Sequence, residues 1–114
     1  MGQVGEKMRR IGSAQGYTAG GFAHWCPACE EMHAFATDGP NSMGAQWTWN
    51  HSVERPSFSP SMNIRTYGGE PGAEVKEVCH YFLKDGQIQY LGDCTHALAG
   101  QTVPLPDLPN HLTD

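Results

Sequence analysis

The sequence lacks long apolar segments. No stretch of the 114 residues approaches the ~18 consecutive apolar residues that a membrane-spanning helix requires. The first 16 residues carry charges but contain no apolar segment, so they do not resemble a secretory signal. From these two absences we expect a protein with no membrane association, located in the cytosol of whichever cell makes it, where thiols remain reduced.

Positive charge is also scarce. Seven Lys and Arg residues stand against twelve Asp and Glu residues, a net charge of −5, and no basic run is longer than Arg9-Arg10. A nucleic-acid-binding surface needs clustered cations to displace counterions from phosphates. The composition therefore argues against a nucleic-acid partner and suits a protein partner or a cationic ligand better. Solubility alone also explains the negative charge, and this explanation is favoured.

Apolar residues make up only 39% of the chain, while glycine (14) and proline (8) are frequent. A chain of this length forms a single domain, and a thin core with many loops needs a disulfide or a metal to stabilise it. We expect residues 1–16 to be a flexible arm and residues 17–114 to form one zinc-binding β domain.

Alternation of side chains predicts strands. Trp47 and Trp49 fall on one side of a segment whose other side is polar, which is typical of a half-buried strand. Asp85-Gly86 lies between two β-prone segments and predicts a two-residue hairpin turn. The expected fold is mainly β, a small zinc-stabilised antiparallel sheet domain of the β-tent or zinc-ribbon-like sandwich type.

The hairpin register follows from its turn. If Asp85-Gly86 is the whole loop, Lys84 pairs with Gln87, and Cys79 and Cys94 lie on the same face of the sheet. His80 then points to the opposite face.

Two cysteine clusters predict a zinc site. Cys26-Pro27-Ala28-Cys29 brings two thiolates to one ion, and Cys79 and Cys94 flank the predicted hairpin. The preferred ligands are these four cysteines, with His96 as the first substitute and His80 as the second. Four thiolates form a closed, structural site rather than a catalytic one, so no catalytic residue is assigned.

A second candidate site is aromatic. Trp49, Glu54 and Arg55 could form a recognition groove in which Arg55 binds a carboxylate or a carbonyl group. The alternative is that the tryptophans are core residues. The adjacent His51-Ser52 pair has no acid at a fixed spacing, so the sequence does not support a hydrolytic triad.

Five segments together resemble a family of small phage and prophage proteins without an established function. They are Trp25–Cys29, Trp47–Asn50, Glu54–Ser61, Cys79–Phe82 and Asp93–Val103. The resemblance implies a phage or prophage gene expressed in a bacterial host. Some members carry the label ammonia monooxygenase, a membrane-bound copper enzyme, and a chain without a spanning segment does not support that label.

A weaker resemblance is to the methionine-R-sulfoxide reductases and their zinc-bearing β-tent fold. Pro56-Ser57-Phe58, His80-Tyr81-Phe82 and Cys94 are similar in order to motifs of that family. This resemblance implies that Cys94 is a nucleophile. Those enzymes hold zinc with two Cys-x-x-Cys pairs, however, and this chain has one.

The sequence therefore favours a phage-encoded module with structural zinc that binds a host or phage protein, and it favours a non-enzymatic role. The alternatives are a thiol or zinc enzyme that uses Cys94 and a structural component of the virion.

Overall fold

The computed structural model describes residues 3–12, 20–67 and 75–110. Their regular structure consists of strands, and no α-helix occurs in these ranges. The strands are β1 Gln3–Val4, β2 Met8–Ile11, β3 Gly21–Cys26, β4 Glu31–Ala36, β5 Thr48–Trp49, β6 Phe58–Tyr67, β7 Val75–Lys84, β8 Gln87–Tyr90 and β9 Thr102–Pro104.

The strands form two antiparallel sheets. The first has the order β1-β2-β3-β4, and the second has the order β5-β6-β7-β8-β9. Neighbours in each sheet are consecutive in the chain. The prediction of a small, mainly β, antiparallel domain is confirmed.

The turn between β7 and β8 has the predicted geometry. Lys84 pairs with Gln87 and Tyr81 with Tyr90, as the two-residue loop requires. Asp85 and Gly86 have φ angles of 52° and 75°, the left-handed values of a type I′ turn. A Cβ atom on residue 86 would also lie 3.2 Å from the Cα of Arg55, so glycine suits the close approach.

Aromatic side chains join the two sheets. Phe35 on β4 stacks on Phe58 on β6 with 4.3 Å between ring centroids, and His24 on β3 meets the edge of Tyr81 on β7. Trp47 is 8% exposed and donates its indole hydrogen to the carbonyl of Ser61. The aromatic residues therefore fill the space between the sheets and fix their spacing.

The N-terminal segment, expected as a flexible arm, contributes β1 and β2. Met8 is fully buried, and the Lys7 ammonium donates to the carbonyl of Leu105 at 2.9 Å. A short alternating segment can pair with an existing edge strand and bury one apolar side chain without a long periodic pattern. Residues 1, 2 and 13–16 of the expected arm lie outside the described ranges.

The segment after β8 is irregular. A series of turns follows Leu91, and β9 then pairs with β8. No helix in the described part of the chain is long and apolar enough to cross a membrane.

Strand β6 contains a bulge that sets the direction of the residues after it. Phe58 pairs with Leu83, whereas Met62 pairs with Tyr81, so β6 has two more residues than β7 across this interval. Beyond the bulge Asn63 pairs with His80. Because side chains alternate along a strand, Ser61 lies on the same sheet face as His80 and diagonal to it.

Candidate functional site

One cluster of polar residues lies between the two sheets. Cys26 ends β3, Cys29 closes the following turn, His33 lies on β4 and Cys79 lies on β7. One potential ligand atom from each lies within 4.8 Å of the others. Cys26, Cys79 and His33 are buried, and Cys29 is half-buried. Three thiols and one imidazole could therefore hold a single metal ion.

The turn that presents two of these thiols is closed by its own backbone. The amide of Glu30 donates to the carbonyl of Cys26 at 2.8 Å, and Glu30 has a φ angle of 54°. This tight geometry brings Cys29 back toward Cys26, while pairing of β3 with β4 carries His33 alongside.

The three thiols have unequal pKa values. A hydrogen bond from Cys79 is the main cause that lowers the pKa of Cys26 to about 5, whereas burial raises the pKa of Cys29 to about 12. The hydrogen bond with Cys26 raises the pKa of Cys79 well above its ordinary value. The protein alone therefore favours one thiolate and two thiols, and only a bound cation would make three thiolates favourable together.

A chain of hydrogen bonds fixes which nitrogen of His24 carries the proton. Nδ1 of His24 lies 3.2 Å from the carbonyl of Trp25, which can only accept a hydrogen bond. Burial is the main cause that lowers the pKa of His24 to about 3, so the ring is neutral at pH 7 and its proton is on Nδ1. Nε2 of His24 is then an acceptor, and the Tyr81 hydroxyl, 2.6 Å away, donates to it.

Tyr81 connects this chain of hydrogen bonds to the metal-ligand cluster. Its single hydroxyl hydrogen goes to His24, so its oxygen accepts from Nδ1 of His33 at 3.2 Å. Nε2 of His33 consequently keeps a free lone pair. This atom is buried and has no hydrogen-bond partner among the described residues, and the Glu31 carboxylate is 3.4 Å away. A lone pair held in this way suits a metal ligand whose other nitrogen is hydrogen-bonded.

The other predicted ligands are not among the four clustered residues, although His96 lines the same cavity as Cys29 and Cys79. The Cys94 sulfur contacts the backbone of His80, and the His80 ring is on the opposite face of β7 from Cys79. His96 accepts a hydrogen bond from the Leu98 amide at Nδ1, so its Nε2 carries the proton and has no lone pair for a metal. The structure thus brings together Cys26, Cys29 and Cys79, and adds His33.

A second constellation lies on the outer face of β7. The Ser61 hydroxyl is 3.2 Å from Nε2 of His80, and Nδ1 of His80 is 3.1 Å and 3.2 Å from the two carboxylate oxygens of Asp93. Nδ1 donates to the carboxylate, so Nε2 can accept the serine proton. Serine, histidine and aspartate in this order of contact form a nucleophile, a general base and an orienting acid.

The triad is accessible to solvent. The side chain of His80 is 22% exposed and that of Asp93 is 47% exposed. The hydrogen bond from His80 lowers the pKa of Asp93, and the Arg65 guanidinium lies 3.8 Å from the same carboxylate. The carboxylate therefore stays ionised, as its orienting role requires.

The predicted recognition residues lie near the β7–β8 turn and in the aromatic core. The Arg55 guanidinium pairs with Asp85 at 3.1 Å, and both side chains are mostly exposed. Trp49 packs against Phe22 with 4.4 Å between ring centroids, and Glu54 is exposed. A binding role for these three residues stays a prediction.

The comparison with protein families now identifies the chain's relatives. The model of the family described as bacterial ubiquitination-like system serine protease (BubE) matches residues 4–91. The chain belongs to the BubE family. No curated protein and no solved structure matches it significantly. Ser61 and His80 of this BubE chain lie within the matched range, and Asp93 lies two residues beyond it.

Membership of the BubE family corrects the functional interpretation of the sequence. That interpretation favoured a zinc-bearing interaction module, with a reductase using Cys94 or a virion component as alternatives, whereas the family is a protease family. The sequence was searched for a hydrolytic triad only at the adjacent His51-Ser52 pair, whereas the structure brings Ser61, His80 and Asp93 together. The observed triad joins residues from two strands and a turn.

One signal in the sequence could have revealed the triad. The hairpin register already placed His80 on the face opposite Cys79, where it could not share a metal with the cysteines. A histidine without a metal on an outer sheet face invites a search for a nucleophile and an acid. Asp93 precedes Cys94 directly, and Pro60 lies within the interval of β6 that contains the bulge, as is typical of a proline inside a strand.

Proposed function

We propose that this BubE chain is a serine protease that hydrolyses a peptide bond in a protein of a bacterial ubiquitination-like system. The observation that carries the proposal is the contact of Ser61 with His80 and of His80 with Asp93. The family description supports the same reaction class independently.

The reaction divides among the three side chains. The Ser61 oxygen attacks the scissile carbonyl while its proton passes to Nε2 of His80, and Asp93 stabilises the resulting imidazolium. His80 then delivers this proton to the leaving amine as the C–N bond breaks, which leaves an acyl group on Ser61. A water molecule, deprotonated by the same nitrogen, hydrolyses this ester and restores the hydroxyl.

A groove beside the triad supports a protein substrate. Ser59 and Phe82 line it, and each lies two residues from a triad member on the same strand. Trp49 and Phe58 contribute apolar surface, and Phe82 is 40% exposed. An extended peptide needs such an apolar channel next to the nucleophile. We include in this proposal that Trp49 binds the peptide substrate, together with Arg55 and Glu54 at the neighbouring turn.

The metal that fits the cysteine cluster best is zinc. Two sulfurs at ~2.3 Å from a tetrahedral zinc ion are about 3.8 Å apart, and the Cys26 and Cys79 sulfurs are 4.0 Å apart. Cys26, Cys29, Cys79 and His33 would complete four-coordination, so the ion would supply structural stabilisation and leave no position for water. Because Cys79 precedes His80, the ion would anchor the strand that carries the general base.

A fluorophosphonate probe, which reacts with activated serine hydroxyls, tests the proposed nucleophile. We expect it to label the zinc-loaded protein once, with the label on the peptide that contains Ser61. Ser61→Ala should abolish labelling, and Ser59→Ala, which removes a nearby exposed hydroxyl, should not. Absence of labelling on folded, zinc-loaded protein, or labelling at another serine, would contradict the proposal.

The setting of the enzyme stays a prediction. A phage or prophage gene, a host or phage protein as partner and a location in the bacterial cytoplasm rest on the sequence alone.

A further inference from the structure

Strand β7 continues past the end of its neighbour. The last residue of β8, Tyr90, pairs with Tyr81, whereas β7 begins at Val75. The β8-side backbone groups of β7 before Tyr81 therefore need partners from outside the strand ladder.

Two consecutive residues of the turn after β8 supply those partners. The Cys94 sulfur accepts a hydrogen bond from the His80 amide at 3.2 Å and donates one to the His80 carbonyl at 3.1 Å. The next residue repeats this pattern at Val78, where the Thr95 hydroxyl accepts from the amide and the Thr95 amide donates to the carbonyl, both at 3.0 Å. The backbone contributes as well, because the Leu91 amide also donates to the His80 carbonyl at 2.9 Å. The His80 amide is therefore the group whose partner is the sulfur.

The contact of Cys94 with His80 and the contact of Thr95 with Val78 hold residues of different roles. Val78 is buried and carries no reactive group, whereas His80 carries the general base. Cys94 is joined by a peptide bond to Asp93, whose carboxylate orients His80. The sulfur therefore fixes the backbone positions of the base and of the acid relative to each other.

We propose that Cys94 is a positioning residue of the triad: its thiol clamps the backbone of His80 and so holds Asp93 in hydrogen-bonding distance of the imidazole. This inference rests on the proposed protease function. The carboxylate of Asp93 is 47% exposed and would otherwise compete with water for its own orientation. A thiol suits the position because one atom both donates and accepts. Cys94 acts through His80 and does not touch the substrate.

Kinetics of matched variants test the clamp. Fluorophosphonate labelling of Ser61 and hydrolysis of p-nitrophenyl acetate would be measured for Cys94→Ala, Cys94→Ser and Thr95→Val. Misplacement of a catalytic group by ~1 Å costs up to about 100-fold in rate. We expect Cys94→Ala to lower the labelling rate and kcat about 10-fold to 100-fold with KM within about 2-fold of its original value.

The other variants distinguish a positioning role of Cys94 from a general loss of stability. Cys94→Ser keeps a donor and acceptor and should recover most of the rate. Thr95→Val removes the hydroxyl that accepts from the Val78 amide, while the backbone bond to the Val78 carbonyl remains. It should lower the melting temperature with little effect on labelling. If Cys94→Ala does not fold, Cys94→Val, which fills a similar volume without a polar atom, takes its place with the same expectation.

Three results would overturn the clamp: an unchanged rate in Cys94→Ala, an equal loss of rate in Thr95→Val, or no recovery in folded Cys94→Ser. Failure of Ser61 to react in the unaltered protein would instead refute the protease proposal, so the two failures are distinguishable. Circular dichroism and zinc content of each variant establish that the compared proteins are folded.

Discussion

The two faces of β7 differ in accessibility and in chemistry. On the inner face Cys79 joins a mostly buried group of thiols and one imidazole, whereas on the outer face the next residue, His80, joins a half-buried serine and an exposed aspartate. The inner cluster is suited to hold an ion away from water, and the outer one must admit a substrate. Strand alternation separates the two sites although their residues are adjacent in sequence.

The largest expected effect concerns the outer face alone. Ser61→Ala should lower kcat for ester hydrolysis by a factor on the order of 10⁶, because loss of the nucleophile removes the acyl-enzyme pathway. Zinc content and melting temperature should not change, since Ser61 does not contact the cysteine cluster. Simultaneous loss of zinc in this variant would show that the two faces are not separable.

Asp93→Asn tests the acid on the same face. An amide cannot hold the His80 ring in the tautomer that accepts the serine proton, so we expect kcat to fall by a factor on the order of 10⁴. The measurement is the same ester assay, with zinc content as the control. A loss of less than about 10-fold would mean that the carboxylate does not orient His80.

Cys79→Ala tests the inner face and its connection to the outer one. Structural zinc in small domains is bound with about 10–16 kcal/mol of apparent free energy, so removal of one ligand should lower the free energy of unfolding by several kcal/mol. Zinc per chain, measured by mass spectrometry, should fall well below one. Labelling of Ser61 should decrease with it, because β7 loses its anchor. Retention of one tightly bound zinc would contradict the assignment of Cys79.

The smallest expected effect concerns the hydrogen bonds around His33. Tyr81→Phe removes the hydroxyl that orients the His33 ring, and loss of such a group lowers metal affinity about 10-fold to 100-fold. Competition with a chromogenic zinc chelator measures the change. Labelling of Ser61 at saturating zinc should be unaffected, and a defect there would mean that Tyr81 also supports the triad.

Local patterns predicted the β fold better than the sites. The Asp85-Gly86 turn sets a register that the sequence already contains, and that prediction is confirmed. The spacing of Cys26 and Cys29 likewise indicated one half of a metal cluster. In contrast, His33 reaches the cluster only because β4 packs against the second sheet and Tyr81 orients its ring. Contacts between sheets leave no periodic signal in a single sequence.

The triad was harder to predict for a related reason. Ser61 depends on a bulge with two extra residues, and Asp93 depends on a turn that replaces the expected continuation of β8. Extension of the hairpin register beyond Tyr90 predicted only that Cys94 lies on the same face as Cys79, whereas the sulfur contacts the backbone of His80. Irregular backbone, which propensity rules describe poorly, therefore created the active-site geometry.

The alternation of Cys79 and His80 limits how this gene can change in length. Insertion or deletion of one codon between His80 and the Asp85-Gly86 turn would move Cys79 to the outer face of the sheet and His80 to the inner face. Changes of two codons would preserve both orientations. Engineered length variants of this strand should accordingly tolerate even steps far better than odd ones.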